Sequence, residues 1–448
     1  MRTLLMLCLL CCSMALYAQG GNDARSHILK VYNWADYMDL DLIEEFQEWY
    51  QEQTGEEVKI IYSTFDINEN MLTEIEVGHE DYDVVCPSGY IIERMLKNGL
   101  IQKLDFGDLQ KTGTPNWIGN ASPWAVDMFQ RMSPDGKLKV SDYTVGYMWG
   151  TPGILYNRAF VSDEEVQSWS AIHNPRFKKQ IYVKDAFRDV FSCLIQFAKQ
   201  DSILNHGLDR QLLAETYSDQ NLMAVQDVVI NAKPQIAGFE TDFGKERMSQ
   251  GKVWLNISWS GDAQWAIDEE DEGVDLAYVV PQEGSNAWFD GWVIPKYAQN
   301  VRAATYFINF MCKPENAVRN MEETGYVSVV GAPEVLEAMQ DEEYDYVDAS
   351  YFFGPEAAHV RLNEVMYPDK SVIERCILMH DGGERIEALF DMWERVKGNN
   401  LDWKMLTFVC SVLGLMALFL IDRKVRQILH KRRRQRRLQA LKTNHPEQ

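Results

Sequence analysis

The sequence lacks the cysteine groupings that bind structural metals or hold small domains together. Only eight cysteines occur in 448 residues, and four of them, Cys86, Cys193, Cys312 and Cys376, lie in the central body of the chain. None of these four stands in a C-x-x-C pair, and three disulfide pairings stay open for them. This pattern excludes a zinc-bound or disulfide-held mini-domain. The body is long enough to form its own hydrophobic core.

The sequence also lacks the short motifs of common catalytic and nucleotide-binding sites. It contains no phosphate-binding glycine loop, no nucleophile elbow and no spaced histidine pair for zinc. We therefore expect a binding protein rather than an enzyme, with no cofactor and no metal. A hydrolase that uses two carboxylates needs none of these motifs, so that alternative stays open.

Positive charge is scarce in the body and concentrated at the C-terminal end. The 67 Asp and Glu residues outnumber the 44 Lys and Arg residues, which gives a formal net charge of −23. By contrast, Lys431–Arg437 is an almost uninterrupted basic run. A basic run that follows an apolar segment sets membrane orientation, so we predict a basic cytoplasmic tail at 422–448 and no nucleic-acid partner.

Long apolar runs stand at the two ends of the chain. Residues 4–16 form a short apolar stretch close to the start, which predicts a signal peptide at 1–18. Met405–Ile421 contains no charge and predicts a transmembrane helix at 403–421. The protein is thus expected in the periplasm, anchored to the inner membrane by a C-terminal transmembrane helix.

Strand-like and helix-like patterns alternate between these ends. Val58–Tyr62 and Tyr82–Cys86 are typical of strands, whereas Asn70–Glu76 and Ile91–Lys97 are typical of helices. The alternation predicts an α/β sheet, and it resumes from residue 181 onward. A body of this length is expected to form two lobes.

Aromatic and acidic residues recur where the predicted strands end. Trp34, Asp36 and Tyr37 follow the strand-like run Ile28–Val31 and precede a predicted helix that begins at Asp41. Comparable positions are held by Ser88, Tyr90, Asp185, Asp189, Trp259, Trp288 and Asp290. Ligands of α/β folds bind at the carboxyl ends of strands. Because aromatic faces attract cations and carboxylates neutralise them, this set predicts a site for a flexible organic polycation.

The order of these segments resembles the spermidine/putrescine-binding proteins of ABC importers, which are periplasmic solute-binding proteins. The resemblance spans about residues 28–397 and is carried by Val31–Tyr37 (VYNWADY), Tyr82–Tyr90 (YDVVCPSGY), Tyr147–Gly150 (YMWG), Arg188–Phe191 (RDVF), Trp259–Asp262 (WSGD), Pro281–Gly284 (PQEG) and Thr324–Tyr326 (TGY). It implies a two-lobed periplasmic-binding-protein fold of type II with two crossing strands. Lobe 1 would comprise 27–145 with 291–325, and lobe 2 would comprise 146–290 with 326–397.

The resemblance also implies a polyamine ligand in the cleft between the lobes and ABC permease subunits of the inner membrane as partners. The residues that it implies for the first lobe's wall are Trp34, Asp36, Tyr37, Ser88 and Tyr90. The acids that it implies for the ligand's amino groups are Asp185, Asp189 and Asp290. The stacking tryptophans would be Trp259 and Trp288, with Tyr326 as a further cleft tyrosine.

The sequence departs from the family pattern at several points. Ala35 stands where a hydroxyl residue is common, and Asp189 is shorter than the glutamate often found there. These changes bear on which polyamine length is preferred. A C-terminal transmembrane helix is unusual for the family, so a membrane-anchored polyamine sensor stays open as an alternative beside the two-carboxylate hydrolase.

Overall fold

The computed structural model describes residues 25–109 and 116–398, together with a few isolated positions between 411 and 424. The predicted signal peptide at 1–18, most of the predicted span at 403–421 and nearly all of the tail at 422–448 lie outside the described residues. The chain divides into two compact units, one ending at Phe390 and the other beginning at Asp391. The strands and the site described below all belong to the first unit.

The strands are numbered in chain order. They are β1 Ile28–Trp34, β2 Lys59–Phe65, β3 Val84–Val85, β4 Thr144–Gly150, β5 Pro152–Asn157, β6 Ile181–Lys184, β7 Ile236–Glu240, β8 Leu255–Trp259, β9 Leu276–Val279, β10 Ser285–Val293, β11 Val327–Ser328, β12 Tyr346–Val347, β13 Val360–Arg361 and β14 Cys376–Leu378. The strand predicted at Tyr82–Cys86 is shorter than expected, because only Val84–Val85 adopts strand geometry.

The α-helices lie between and after these strands. They are Asp41–Thr54, Asn68–Glu76, Gly89–Lys97, Asn116–Asn120, Pro123–Arg131, Phe187–Ala198, Gln200–His206, Arg210–Glu215, Asp219–Ala232, Gly244–Ser249, Ser260–Asp268, Val301–Met311, Pro314–Thr324, Pro333–Met339, Ser350–Phe353, Lys370–Ile373 and Ile386–Gly398. The 3-10 helices are Val140–Asp142, Asp163–Val166, Trp169–His173, Pro175–Phe177, Pro355–Ala357 and Gly383–Arg385.

Two mixed sheets form the framework of the first unit. The first has seven strands in the order β11-β4-β10-β3-β1-β2, with β14 paired to β10. The second has five strands in the order β7-β6-β8-β5-β9. β1 is parallel to β2 and β3, and β6 is parallel to β7 and β8. A two-lobed α/β fold fits these sheets, whereas the exact lobe boundaries stay a prediction.

The chain passes directly between the two sheets. β4 ends at Gly150 in the first sheet and β5 begins at Pro152 in the second, so a single residue, Thr151, separates them. β10 follows β9 and pairs antiparallel with β4. All nine residues of β10 are buried, as is typical of a strand covered on both faces. β10 therefore lies inside the first sheet, beside the strand from which the chain crosses to the second sheet.

The segment after β1 shows how local sequence sets the structure. The helix Asp41–Thr54 buries Leu42, Phe46 and Tyr50, which are four residues apart and therefore lie on one face. It ends at Gly55, whose φ of 73° lies in the left-handed region that glycine adopts without steric cost. The predicted helix start at Asp41 is confirmed, so the turn at Trp34–Tyr37 is bounded by a strand and a helix.

The predicted C-terminal transmembrane helix is a part of the fold prediction that must be corrected. Among the described residues, no helix is both long and apolar enough to cross a membrane. The longest described helices have 14 residues, as in Asp219–Ala232, whereas a span needs about 20 apolar residues. The helix Ile386–Gly398 is shorter and carries acidic and basic side chains. Most of 403–421 lies outside the described residues.

Candidate ligand-binding site

Asp290 is the most deeply buried acid of the predicted set. It lies on β10 and is 4% exposed. Its Oδ2 accepts a hydrogen bond from the Tyr37 hydroxyl at 2.7 Å, and its backbone forms an antiparallel bridge with Ser88. Its other oxygen, Oδ1, is buried and has no hydrogen-bond partner within the described part of the chain. The structure thus brings three predicted residues together around one carboxylate.

Burial raises the pKa of Asp290 to about 7. The Ser88 side chain and the Tyr37 hydroxyl offset part of this effect. Of the two, Tyr37 donates a hydrogen bond to the carboxylate, which favours the ionised form. The negative charge of Asp189 raises the pKa further. A buried carboxylate in this state is stabilised by a cation at hydrogen-bond distance.

Asp189 is the second acid of the site. It lies in the first turn of the helix Phe187–Ala198. Its Oδ2 accepts from the indole N–H of Trp259 at 3.2 Å, and its Oδ1 accepts from the side-chain amide of Asn286 at 3.2 Å. Burial raises the pKa of Asp189 to about 6, and the indole and amide donors lower it in part. Both acids therefore receive hydrogen bonds from neutral donors.

A chain of aromatic rings extends from the Asp290 group. The Tyr37 and Tyr326 ring centroids are 5.0 Å apart with an interplanar angle of 74°. Tyr326 and Trp288 form a second edge-on pair at 5.5 Å. Gly261 lies against Tyr326 so closely that an added Cβ would come within 2.1 Å of the ring. These contacts form an aromatic wall that is fixed on several sides, which suits the methylenes of an alkyl cation.

The turn after β1 buries Tyr37 but leaves the neighbouring Asp36 exposed. Asp36 has a φ of 50°, a left-handed conformation that aspartate tolerates better than most residues. As a result, Tyr37 is buried, whereas the Asp36 side chain is 80% exposed and lies 3.7 Å from Lys245 Nζ. The Trp34 ring packs against Phe65 at 4.5 Å. Trp34 and Asp36 therefore lie beside the Asp290 group and do not hydrogen-bond to it.

Tyr90 is held by neighbours on two sides. Its hydroxyl accepts from the Asn68 amide at 2.9 Å, and Asn68 also donates to Ser88 Oγ at 3.0 Å. The guanidinium carbon of Arg188 lies 4.1 Å from the Tyr90 ring centroid. Arg188 also forms an ion pair with Glu69 at 3.3 Å. One face of Tyr90 is therefore covered by a cation of the chain itself.

Asp185 lies at the start of the segment that leads to Asp189. It follows β6, and its backbone N–H donates to the Glu240 carbonyl at 2.7 Å. Its implied role as a partner acid stays a prediction.

Sequence reasoning missed several residues at this site. Asn286 donates to Asp189, and Asn68 links Ser88 with Tyr90. Asp262 accepts from the Tyr326 hydroxyl at 2.8 Å, although it stands in the WSGD stretch already noted. Asn286 could have been found by its place in the turn before Trp288. Asn68 ends the stretch Ile61–Asn68, which also resembles the family, but no ligand-binding role was assigned to it.

The comparison with known families decides what kind of protein this is. Residues 41–342 match the family of bacterial extracellular solute-binding proteins. The chain belongs to this family. Since its members bind solutes, the prediction that the chain is not an enzyme is confirmed, and so is the predicted solute-binding superfamily.

Two curated relatives of this solute-binding protein carry related names. One is the spermidine/putrescine-binding periplasmic protein of Escherichia coli, which is 27% identical over 387 residues. The alignment covers 86% of this chain and 96% of the E. coli protein. The other is the putrescine-binding periplasmic protein SpuD of Pseudomonas aeruginosa, 29% identical over 302 residues, with 65% of this chain and 75% of SpuD covered.

Solved structures agree with the fold. A spermidine/putrescine ABC transporter substrate-binding protein, PotD of Streptococcus pneumoniae, aligns with a TM-score of 0.60 at 28% identity over 83% of this chain and 99% of PotD. The TpPotD lipoprotein of Treponema pallidum aligns with a TM-score of 0.63 over 83% of this chain and 99% of its own. At 23% identity, the second match shows the fold alone.

Proposed function

We propose that this solute-binding protein captures a polyamine in the periplasm and delivers it to an ABC permease of the inner membrane. Asp189 and Asp290 would each bind an ammonium group, and the rings of Tyr37, Trp288 and Tyr326 would line the alkyl chain between them. The names of the E. coli and S. pneumoniae relatives support this ligand class and this kind of partner.

The proposal rests on the burial, the raised pKa values and the hydrogen-bond donors of Asp189 and Asp290. Both are desolvated, both have raised pKa values, and both receive hydrogen bonds from neutral donors. In the free site, the hydrogen bonds to these two carboxylates come from neutral donors, and the nearby Arg188 charge offsets only part of the burial of Asp189. A linear diamine supplies two ammonium groups at the ends of an apolar chain, which matches two buried acids in a site that also contains aromatic rings.

The sensor alternative is not carried forward. The names of the relatives describe polyamine-binding and transporter proteins, and none of them describes a sensor.

Calorimetric titration of the full-length chain tests the proposal. Putrescine, spermidine and spermine are compared with butylamine, which has a similar alkyl chain and a single ammonium group. We expect saturable binding of at least one polyamine and binding of butylamine that is at least 100-fold weaker, because one acid would stay unpaired. Failure of all three polyamines to bind would remove the proposed function.

A further inference from the structure

Lys184 supplies an ammonium group of the chain itself beside the candidate site. Its Nζ lies 2.6 Å from Asp262 Oδ2 and 3.3 Å from Glu240 Oε1, and its side chain is 2% exposed. The three residues meet because β7 and β8 both pair in parallel with β6, which aligns the carboxyl ends of the three strands. Asp262 stands in the first turn of the helix after β8.

The ion pairs keep Lys184 charged despite its burial. Burial alone would lower the pKa of Lys184, but the charges of Asp262 and Glu240 outweigh it, so the pKa is raised. The pKa of Asp262 is lowered although it is buried, because Lys184 is its main favourable partner. The cluster therefore holds a permanent cation at one end of the aromatic wall.

Lys184 contacts Trp259 directly, and it is linked to Tyr326 of the aromatic wall through Asp262. Its Nζ lies 4.6 Å from the Trp259 ring centroid, and the Trp259 indole N–H donates to Asp189. Asp262, its ion-pair partner, accepts from the Tyr326 hydroxyl. One face of Trp259 and the carboxylate of Asp262 are thus already engaged by the ammonium group of Lys184.

A second lysine neutralises another acid in the same way. Lys245 Nζ lies 3.7 Å from Asp36 Oδ2 and 5.0 Å from the Trp265 ring centroid. This pair is mostly exposed on the Asp36 side, so it is weaker than the Lys184 cluster. Asp36 and Asp262 each pair with a lysine ammonium group. By contrast, the hydrogen bonds that Asp189 and Asp290 accept come from neutral donors.

We propose that Lys184 is a specificity-determining residue that limits the ligand to two ammonium groups. Its ammonium occupies the carboxylate and ring face that a third ammonium of a longer polyamine would need. The site then accepts a diamine at Asp189 and Asp290 and disfavours a triamine, whose additional charge would meet Lys184. This inference rests on the proposed function and names its ligand class more narrowly.

The first test uses the unmodified full-length chain. In competition calorimetry at pH 8, putrescine is expected to bind at least 10-fold more tightly than spermidine. A chain that binds spermidine as tightly as putrescine, or more tightly, overturns the role of Lys184 and leaves the proposed function intact. A chain that binds neither amine overturns both.

The second test changes the built-in cation. Lys184→Met keeps the length of the side chain and removes its charge, which frees Asp262 and Glu240 for a ligand. The ratio of spermidine affinity to putrescine affinity is expected to rise at least 10-fold. The double variant Lys184→Met with Asp262→Asn should lose most of that gain, because the vacated acid is then neutral.

A matched control separates this effect from general loss of positive charge. Lys252→Met removes an exposed lysine that pairs with Gln250, and the affinity ratio should stay within twofold of the unmodified chain. An unchanged ratio in folded Lys184→Met protein overturns the inference. If thermal melting shows that Lys184→Met does not fold, the putrescine preference of the unmodified chain decides the question by itself.

Discussion

Replacing Asp290 with asparagine keeps the size of the side chain and removes its charge. In the free protein the pKa of Asp290 is raised from 3.8 to about 7, chiefly by burial. A raised pKa means that the ionised form is less favourable in the folded chain than in the unfolded chain. The stability linked to this group is therefore present below pH 3.8 and is lost as the pH rises through about 7.

The size of this effect follows from the pKa difference. A pKa that is raised from 3.8 to about 7 means that ionised Asp290 lowers the free energy of unfolding at pH 8 by an amount on the order of 4 kcal/mol. Asp290→Asn removes that contribution and can still accept the Tyr37 hydrogen bond. We therefore expect the ligand-free variant to melt at a higher temperature than the unmodified protein at pH 8.

Although Asp290→Asn should stabilise the ligand-free protein, it should weaken the binding of putrescine. Without the carboxylate, one ammonium group of putrescine would be buried without a countercharge, which weakens binding by about 3 kcal/mol or more, or roughly 100-fold in Kd. Thermal melts with and without putrescine, together with calorimetry, measure both effects in one preparation. The ligand should raise the melting temperature of the unmodified chain and have little effect on Asp290→Asn.

Asp268→Asn is the matched control. Asp268 also has a pKa raised by burial, and it accepts from Gln264 at 2.8 Å. It lies six residues beyond Asp262 on the same helix, about 9 Å along the axis. Putrescine affinity should stay within twofold in this control. An Asp290→Asn protein that binds putrescine within threefold of the unmodified chain, or that melts at a lower temperature at pH 8 without ligand, would refute the reasoning.

Other predictions follow from the same acids. Putrescine affinity should fall by roughly 20-fold between pH 8 and pH 6, because pKa values of about 7 for Asp290 and about 6 for Asp189 leave both partly protonated at pH 6; a flat calorimetric profile would contradict this. Tyr37→Phe removes a donor to ionised Asp290, so the midpoint of the profile should move to higher pH. Trp259→Phe keeps a ring and removes the donor to Asp189, and it should weaken putrescine by about 1 kcal/mol while leaving the melting temperature nearly unchanged; an unchanged affinity would argue that the indole N–H plays no part.

The fold was predictable where short-range periodicity carries the information. The helix that begins at Asp41 was predicted, and the structure confirms its start and buries Leu42, Phe46 and Tyr50 along one face. The same reasoning failed for the membrane helix, because an uncharged run alone predicted a span at 403–421. The strand around Val84–Val85 was overestimated because its apolar run extends beyond the residues that pair with β1.

The site was predictable in part. The resemblance named Tyr37, Ser88 and Asp290, and the structure brings these residues together. The pairing of Lys184 with Glu240 could not be predicted, since the two residues are 56 positions apart and meet only through the register of β6 and β7. A sequence shows which charges exist, whereas sheet topology decides which of them neutralise one another.

Calorimetric titration of the full-length, unmodified chain with putrescine at pH 8 tests the polyamine proposal most directly. Saturable binding of one putrescine per chain is predicted, at least 100-fold tighter than the binding of butylamine, because two desolvated acids each require an ammonium group. Absence of binding heat for putrescine, spermidine and spermine in buffers of different ionisation enthalpy would contradict it.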